Sequence, residues 1–156
     1  MQIYNYLLNQ YKIIILTYNF NNMIQRIQSV YMFFLVLINF FIFISIDSNP
    51  EMSLRESWFG YFRPYITDYF FSEILAFLML VNIFLFKKPK VQINILRVSF
   101  LALVFGLLNL FDERFFGESF KDPGLIYFLL SFLLIFMSIR SIKKDQTIIK
   151  SSNRLR

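Results

Sequence analysis

The residues that could do chemistry in this sequence are polar side chains set in long apolar runs. Such residues are costly inside a membrane and are therefore candidates for binding. Arg97 and Asn82 form the strongest pair, because they lie at similar depths on either side of a short, lysine-rich turn between two apolar runs. An arginine, an amide and nearby lysines suit an anion or a lipid headgroup. The candidate site comprises Arg97, Asn82, Lys87, Lys88 and Lys90.

A structural interpretation of the same residues is also open. Arg97 can extend its long side chain to the membrane interface, and Asn82 can hydrogen-bond between helices. Asn39, Asn109 and Ser131 are further polar residues within apolar runs. We expect these three to hold helices together through hydrogen bonds.

The basic tail, residues 143–156, is a second candidate. Its basic residues are Lys143, Lys144, Lys150, Arg154 and Arg156. Isoleucine and leucine recur there at seven-residue spacing, which predicts a helix with a basic face for anionic lipid or a partner protein. Alternatively, the tail is only a cytoplasmic anchor that extends the last membrane helix. It lacks aromatic residues for base stacking, so nucleic acid is not an expected partner.

Enzyme chemistry has little support in the residue inventory. The chain has no Cys and no His, which excludes thiolate chemistry, histidine haem ligation and His/Cys zinc sites. No pairing of nucleophile and base is recognisable, so we expect neither enzymatic activity nor a cofactor. Four carboxylates in one predicted loop could bind a divalent cation, although solvated loop charges account for them equally well and we predict no metal site. They are Asp112, Glu113, Glu118 and Asp122.

The elements that position these residues are apolar helices. Hydrophobic residues make up 57% of the 156-residue chain, which is too apolar for an ordinary soluble domain. Four runs approach the roughly 20 residues that a membrane-crossing helix needs. They cover residues 27–46, 69–86, 91–111 and 124–142. Short connections favour antiparallel neighbours, so the sequence predicts an all-α fold, an antiparallel bundle of four transmembrane helices.

Two connecting segments have distinct signatures. Residues 58–71 are dense in Trp and Tyr, which settle at membrane interfaces, and we interpret them as an interfacial segment with a short helix broken at Pro64. An aromatic pocket for a lipid or quinone headgroup is the alternative. Asp122 and Pro123 suit the first turn of the fourth helix.

Charge predicts the orientation. Translocating lysines is disfavoured, so the turn that contains Lys87, Lys88 and Lys90 is expected on the cytoplasmic side. With both termini on that side, it holds twelve of the 16 basic residues and only one of the ten acidic residues. This bias agrees with the positive-inside rule and predicts four spans with cytoplasmic termini.

The first 22 residues do not fit this plan. Their one apolar patch, residues 13–16, is far too short to cross a membrane. We expect residues 1–22 to be an upstream extension or a non-native start, with Met23 as the true beginning. The membrane domain is then residues 23–142, followed by the tail.

Both ends of this domain resemble one family. Residues 23–31 read Met-Ile-Gln-Arg-Ile-Gln-Ser-Val-Tyr, and residues 142–156 read Ile-Lys-Lys-Asp-Gln-Thr-Ile-Ile-Lys-Ser-Ser-Asn-Arg-Leu-Arg. They resemble the domain of unknown function 4293 family of small four-span bacterial inner-membrane proteins. The resemblance implies a multi-pass protein of the bacterial cytoplasmic membrane and implies no activity.

The function expected from these observations is that of a non-enzymatic accessory or assembly subunit. It would act through partner helices and a basic cytoplasmic face that contacts anionic lipids of the bilayer. The alternative is a transporter or channel for a small solute or lipid, built as a homo-oligomer. That alternative is disfavoured because the spans lack a mid-membrane carboxylate and Gly or Pro hinges.

Overall fold

The structure, a computed structural model, describes residues 27–45, 58–112 and 116–154. The predictions for residues 1–22 and Met23 lie outside these ranges. All regular elements within the ranges are helical. Helix α1 is Ile27–Ser45. A 3-10 turn, Gly60–Phe62, is followed by α2 (Arg63–Thr67), α3 (Phe71–Phe84), α4 (Pro89–Phe111), α5 (Phe116–Ser119) and α6 (Gly124–Arg154).

Three helices, α1, α4 and α6, are long and apolar enough to cross a membrane. A fourth candidate span exists only if α3 is combined with the 3-10 turn and α2, which meet it at a bend of 65°. The all-α prediction and the multi-pass membrane character are confirmed, with three or four candidate spans.

The predicted second span is in the right place but too long. Helix α3 has 14 residues, or about 21 Å of helix, against a hydrocarbon thickness of about 30 Å. Phe70 adopts a left-handed conformation with φ 53°, which separates α3 from the segment before it. At the other end the chain turns through residues 85–87 and re-enters a helix at Pro89.

Proline begins helices in this protein. Pro64 lies in the first turn of α2, so the prediction that a surface helix breaks at Pro64 is wrong. Pro89 likewise opens α4. The first turn of a helix has no use for the N–H that proline lacks, which explains both positions.

The fourth predicted helix continues beyond its predicted end. Helix α6 has 31 residues and runs through Ile142 into the basic tail without interruption. Lys143, Lys144 and Lys150 lie on this extension and are exposed. The tail is therefore helical up to Arg154.

Helices α4 and α6 pack side by side in opposite directions. A Cβ atom added to Gly106 of α4 would lie 2.8 Å from Phe128 of α6, and one added to Gly124 would lie 3.2 Å from Leu110. The pairs 106 with 128 and 110 with 124 show that the two helices are antiparallel. The start of α4 and the end of α6 therefore lie at the same end of the protein. This is the basic end, and the end that holds α5 and the start of α6 is the loop end.

The aromatic segment before α2 packs into the helices. Phe59 and Phe62 are buried, and the Phe62 ring would lie 2.8 Å from a Cβ atom at Gly106. Tyr61 and Tyr69 are exposed. The exposed tyrosines suit an interfacial segment, whereas the packing of Phe59 and Phe62 against the helices was not predicted.

The interior holds polar side chains, whereas the outer surface is apolar. The exposed fractions of Phe41, Phe77 and Phe84 are 68%, 70% and 72%. The buried polar residues within α1, α3, α4 and α6 are Gln28, Asn39, Ser72, Asn82, Gln92, Ser99, Ser131 and Ser138. Apolar surface of this extent suits lipid, so the chain is an integral membrane protein.

Gly106 generates a test of this packing. In Gly106→Ala the new methyl group would meet the buried rings of Phe62 and Phe128, and we expect a net loss of about 1–3 kcal/mol of stability from overpacking. The gain in helix propensity, about 1 kcal/mol, offsets only part of the clash. Thermal unfolding in detergent, followed by circular dichroism, measures the change.

The matched control is Gly117→Ala in α5, where an added Cβ atom has no neighbour within 4 Å. We expect it to unfold at the wild-type temperature. Equal stability of the two variants would contradict the contact between the aromatic segment and α4.

Candidate functional site

Asn82 of α3 is fully buried and pairs with Gln92 of α4. The Gln92 amide nitrogen Nε2 donates to the Asn82 carbonyl at 2.8 Å, and the Asn82 Nδ2 donates to the Gln92 carbonyl at 3.4 Å. Each side chain thus bonds the backbone of the neighbouring helix, as expected for Asn82. The sequence analysis did not identify Gln92. The available signal was that Gln92 is polar and lies near the start of α4, at the same distance from the turn as Asn82.

The pair leaves two acceptors free. Neither Asn82 Oδ1 nor Gln92 Oε1 has a hydrogen-bond partner among the described residues, and both side chains are at most 1% exposed. A buried acceptor without a partner costs about 1–3 kcal/mol. These oxygens can therefore accept hydrogen bonds from a small donor, such as a water molecule.

Arg97 does not lie beside this pair. It follows Gln92 by five residues, which places it about 140° around the axis of α4. Its side chain is exposed and lines a groove between α4 and α6, whereas Asn82 is buried between α3 and α4. The structure therefore does not bring Arg97 and Asn82 into one site.

The three lysines of the predicted site are exposed at the basic end. Lys87 lies with its Nζ 5.8 Å from the centroid of the Phe86 ring. Lys88 precedes α4, and Lys90 lies in its first turn. Lys90 precedes Arg97 by seven residues and shares its face of α4, so these two members of the predicted site stay together.

Asn39 of α1 holds α1 to α6. The Tyr127 hydroxyl donates to Asn39 Oδ1 at 2.8 Å, and Asn39 Nδ2 donates to the Leu35 carbonyl at 2.8 Å. Ser131 is buried one turn after Tyr127. Among the described residues, the Asn109 side chain bonds to its own helix, at the Phe105 carbonyl (3.0 Å), and not to a neighbouring helix as predicted.

Asp122 joins the aromatic segment to the start of α6. Its Oδ1 accepts hydrogen bonds from the Gly124 N–H at 2.8 Å and the Phe59 N–H at 3.1 Å. The first bond is the helix-terminal role predicted for Asp122. The second spans 63 residues and had no local signal in the sequence.

Among the described residues, the loop carboxylates do not form a cluster that could hold a metal ion. Asp112 is exposed at the end of α4, and Asp122 is buried. The side chains of Glu113 and Glu118 lie outside the described part of the chain. The side chains of Arg154 and Arg156, in the tail, also lie outside the described part of the chain.

Two apolar grooves lie on the flanks of α6. The groove at the loop end has a volume of about 380 Å³ and is walled by α1, the aromatic segment and the first turns of α6. The groove at the basic end, about 430 Å³, is the one that Arg97 lines. Both volumes are in the usual range of small-molecule sites. The groove at the loop end includes Trp58 and Phe59 of the segment for which an aromatic pocket was the alternative. The groove at the basic end was not predicted, because it depends on how the helices are rotated.

Asp122 provides a test that uses the single Trp of the chain. Trp58 is adjacent to Phe59, so Asp122→Ala, which frees the Phe59 N–H, should shift Trp58 fluorescence to longer wavelength. We also expect a loss of about 1–3 kcal/mol of stability in detergent, because two buried N–H groups lose their acceptor.

Asp112→Ala is the matched control, since it removes an exposed carboxylate from the same end of the protein. It should leave both the emission wavelength and the stability within measurement error. An unchanged Trp58 spectrum in Asp122→Ala would show that the carboxylate does not hold the aromatic segment.

Comparison with known proteins gives one match. The family described as Domain of unknown function (DUF4293) matches residues 24–155. No curated protein and no solved structure shows a significant match. The match includes residues 24–31 and 142–155 of the two ends on which the sequence resemblance rests. The chain belongs to the DUF4293 family.

Proposed function

We propose that this protein is a non-enzymatic accessory or assembly subunit of a bacterial cytoplasmic membrane. In this proposal it forms an antiparallel four-span helix bundle with both termini in the cytoplasm. It acts by binding a transmembrane helix of another protein, and its basic end contacts the anionic inner leaflet.

The distribution of charge supports the orientation. Every described basic residue of α4 and α6 lies toward the basic end, whereas Asp68, Asp112 and Asp122 lie in connections away from it. Since positive charges are retained in the cytoplasm, the basic end is the cytoplasmic end. If α3 and the segment before it together form one span, the chain crosses four times.

A filled interior supports a role in binding over a role in transport. Leu35 of α1, Met79 of α3, Leu96 and Leu103 of α4, and Ile135 of α6 each have no exposed surface. These side chains come from all four long helices of the described part of the chain. A transporter of one subunit needs a path between its helices, and in the described part of the chain these side chains fill the space between them.

The exposed face of α3 carries the proposal of a partner helix. It presents a line of apolar residues at the spacing of a coiled-coil seam, with Phe77 and Phe84 more than two-thirds exposed. The α3 stripe is Ile74, Phe77, Val81 and Phe84. Lipid can cover any apolar face, but α3 is too short to span the hydrocarbon alone. A second helix packed on the stripe would cover this short segment.

The orientation can be tested with single cysteines, because the natural chain has none. We expect Lys121→Cys to react with a membrane-impermeant maleimide in intact spheroplasts, because residue 121 is exposed at the loop end. Lys88→Cys and Lys150→Cys are exposed at the basic end and should react only after permeabilisation. The reverse pattern would invert the topology, and labelling of Lys88→Cys and Lys150→Cys from opposite sides would contradict four spans.

The partner can be tested by photo-cross-linking at native expression. With p-benzoylphenylalanine in place of Phe77 or Phe84, we expect one cross-linked species that contains a different membrane protein in stoichiometric yield. Replacement of Phe41, which is equally exposed on α1, is the control and should give no such species. Cross-links only to lipid or to a second copy of this chain would contradict the accessory role.

A further inference from the structure

The groove at the basic end combines an apolar wall with one charged side chain. It is lined by Arg97, Phe100, Leu101, Ile135, Phe136 and Ile139, hereafter the basic groove. Leu101 and Phe136 are 66% and 61% exposed, so the groove opens on the lipid-facing side of α4 and α6. The Phe100 and Phe132 rings, with centroids 4.9 Å apart, contact each other between the two helices.

Further positive charges lie where the basic groove approaches the basic end. On α4, Lys90 shares the face of Arg97, two turns nearer the helix start. On α6, Arg140 and Lys143 follow Phe136 by four and seven residues, which places both near its face. All four basic side chains are exposed. The two helices thus bring four cations toward one apolar groove.

The direction of the helices brings two arginines toward each other. Side chains on a helix lean toward its N-terminus, which lies at the basic end for α4 and at the loop end for α6. Arg97 therefore leans toward the basic end and Arg140 leans away from it. An anion between them would contact both guanidinium groups, which bind phosphate oxygens in pairs.

No carboxylate of these helices faces this cluster. Helix α4 contains no acidic residue, and Asp145, the acidic residue of α6, follows Phe136 by nine residues. That spacing places Asp145 on the opposite side of α6, about 180° away. Within α4 and α6, the four cations therefore have no carboxylate on their side of the helices, beside an apolar surface.

We propose that the basic groove binds an anionic phospholipid of the leaflet at the basic end. One acyl chain lies along the apolar wall, and the phosphate lies between Arg97 and Arg140, with Lys90 and Lys143 beside it. Asn82, Lys87 and Lys88 are not part of this site. The assignment rests on the proposed contact of the basic end with an anionic leaflet, and it does not depend on the accessory role.

The test is native mass spectrometry of the full-length protein in a neutral detergent. Dioleoyl phosphatidylglycerol and dioleoyl phosphatidylcholine are titrated in parallel, since they share acyl chains and differ in headgroup charge. We expect the wild type to prefer phosphatidylglycerol. In the Arg97→Gln/Arg140→Gln variant, the ratio of phosphatidylglycerol affinity to phosphatidylcholine affinity should fall about tenfold. The reason is that basic side chains near the membrane surface attract the anionic headgroup.

Two controls separate the groove from general charge. Lys121→Gln/Lys144→Gln removes the same charge from exposed positions outside the basic groove and should retain the preference. Ile139→Trp fills the groove without a change of charge and should weaken binding of both lipids. Thermal unfolding of each variant verifies that it is folded.

Three results would overturn the assignment. The first is an equal loss of preference in both charge variants, and the second is unchanged lipid binding in Ile139→Trp. The third is displacement of phosphatidylglycerol by millimolar glycerol 3-phosphate, which would show an anion site that does not need an acyl chain.

Discussion

Hydrocarbon offers a polar side chain no hydrogen bond, and this constraint organises the interior of the protein. Asn39, Asn82 and Gln92 are buried and direct their amides to a neighbouring helix or to their own backbone. Their bonds link α1 with α6 and α3 with α4. In a soluble protein the same residues would lie on the surface, and the exposed phenylalanines would form the core. The polar bonds are therefore the specific connections, while apolar packing fills the space between them.

One non-local contact determines how the aromatic segment is placed. The Phe62 ring occupies the space beside Gly106, and the Asp122 carboxylate holds the Phe59 N–H and the start of α6 together. A larger residue than glycine at 106 would exclude the ring, and without the carboxylate a buried N–H would have no acceptor. The segment before α3 is thus attached to α4 and α6 at the loop end. This attachment explains why the chain bends by 65° before α3 instead of forming one straight span.

The helices were predictable, but their rotations were not. Apolar runs located α1, α4 and α6, because hydropathy is a sum over neighbouring residues and needs no tertiary information. Asn82 pairs with Gln92, which lies five residues, about 7.5 Å, before Arg97 along α4, so the structure separates Asn82 from Arg97 along the helix as well as around it. Their separation was missed because a residue count from the turn says nothing about which face of a helix a residue occupies. The contact of Phe62 with Gly106 joins segments far apart in the chain, and no local pattern predicts it.

The rotation of α4 buries Gln92 and exposes Arg97. Gln92 and Asn82 hydrogen-bond to each other's backbone inside the protein, so their mutation would mainly lower the stability of the fold. Arg97 faces outward and is exposed beside the basic groove, so its charge is available to the membrane or a ligand. A lone arginine facing lipid would extend to the interface and bind nothing specific. In the proposed site, Arg140 on the antiparallel neighbour changes that expectation, because an anion between the two guanidinium groups would offset their mutual repulsion beside the apolar groove.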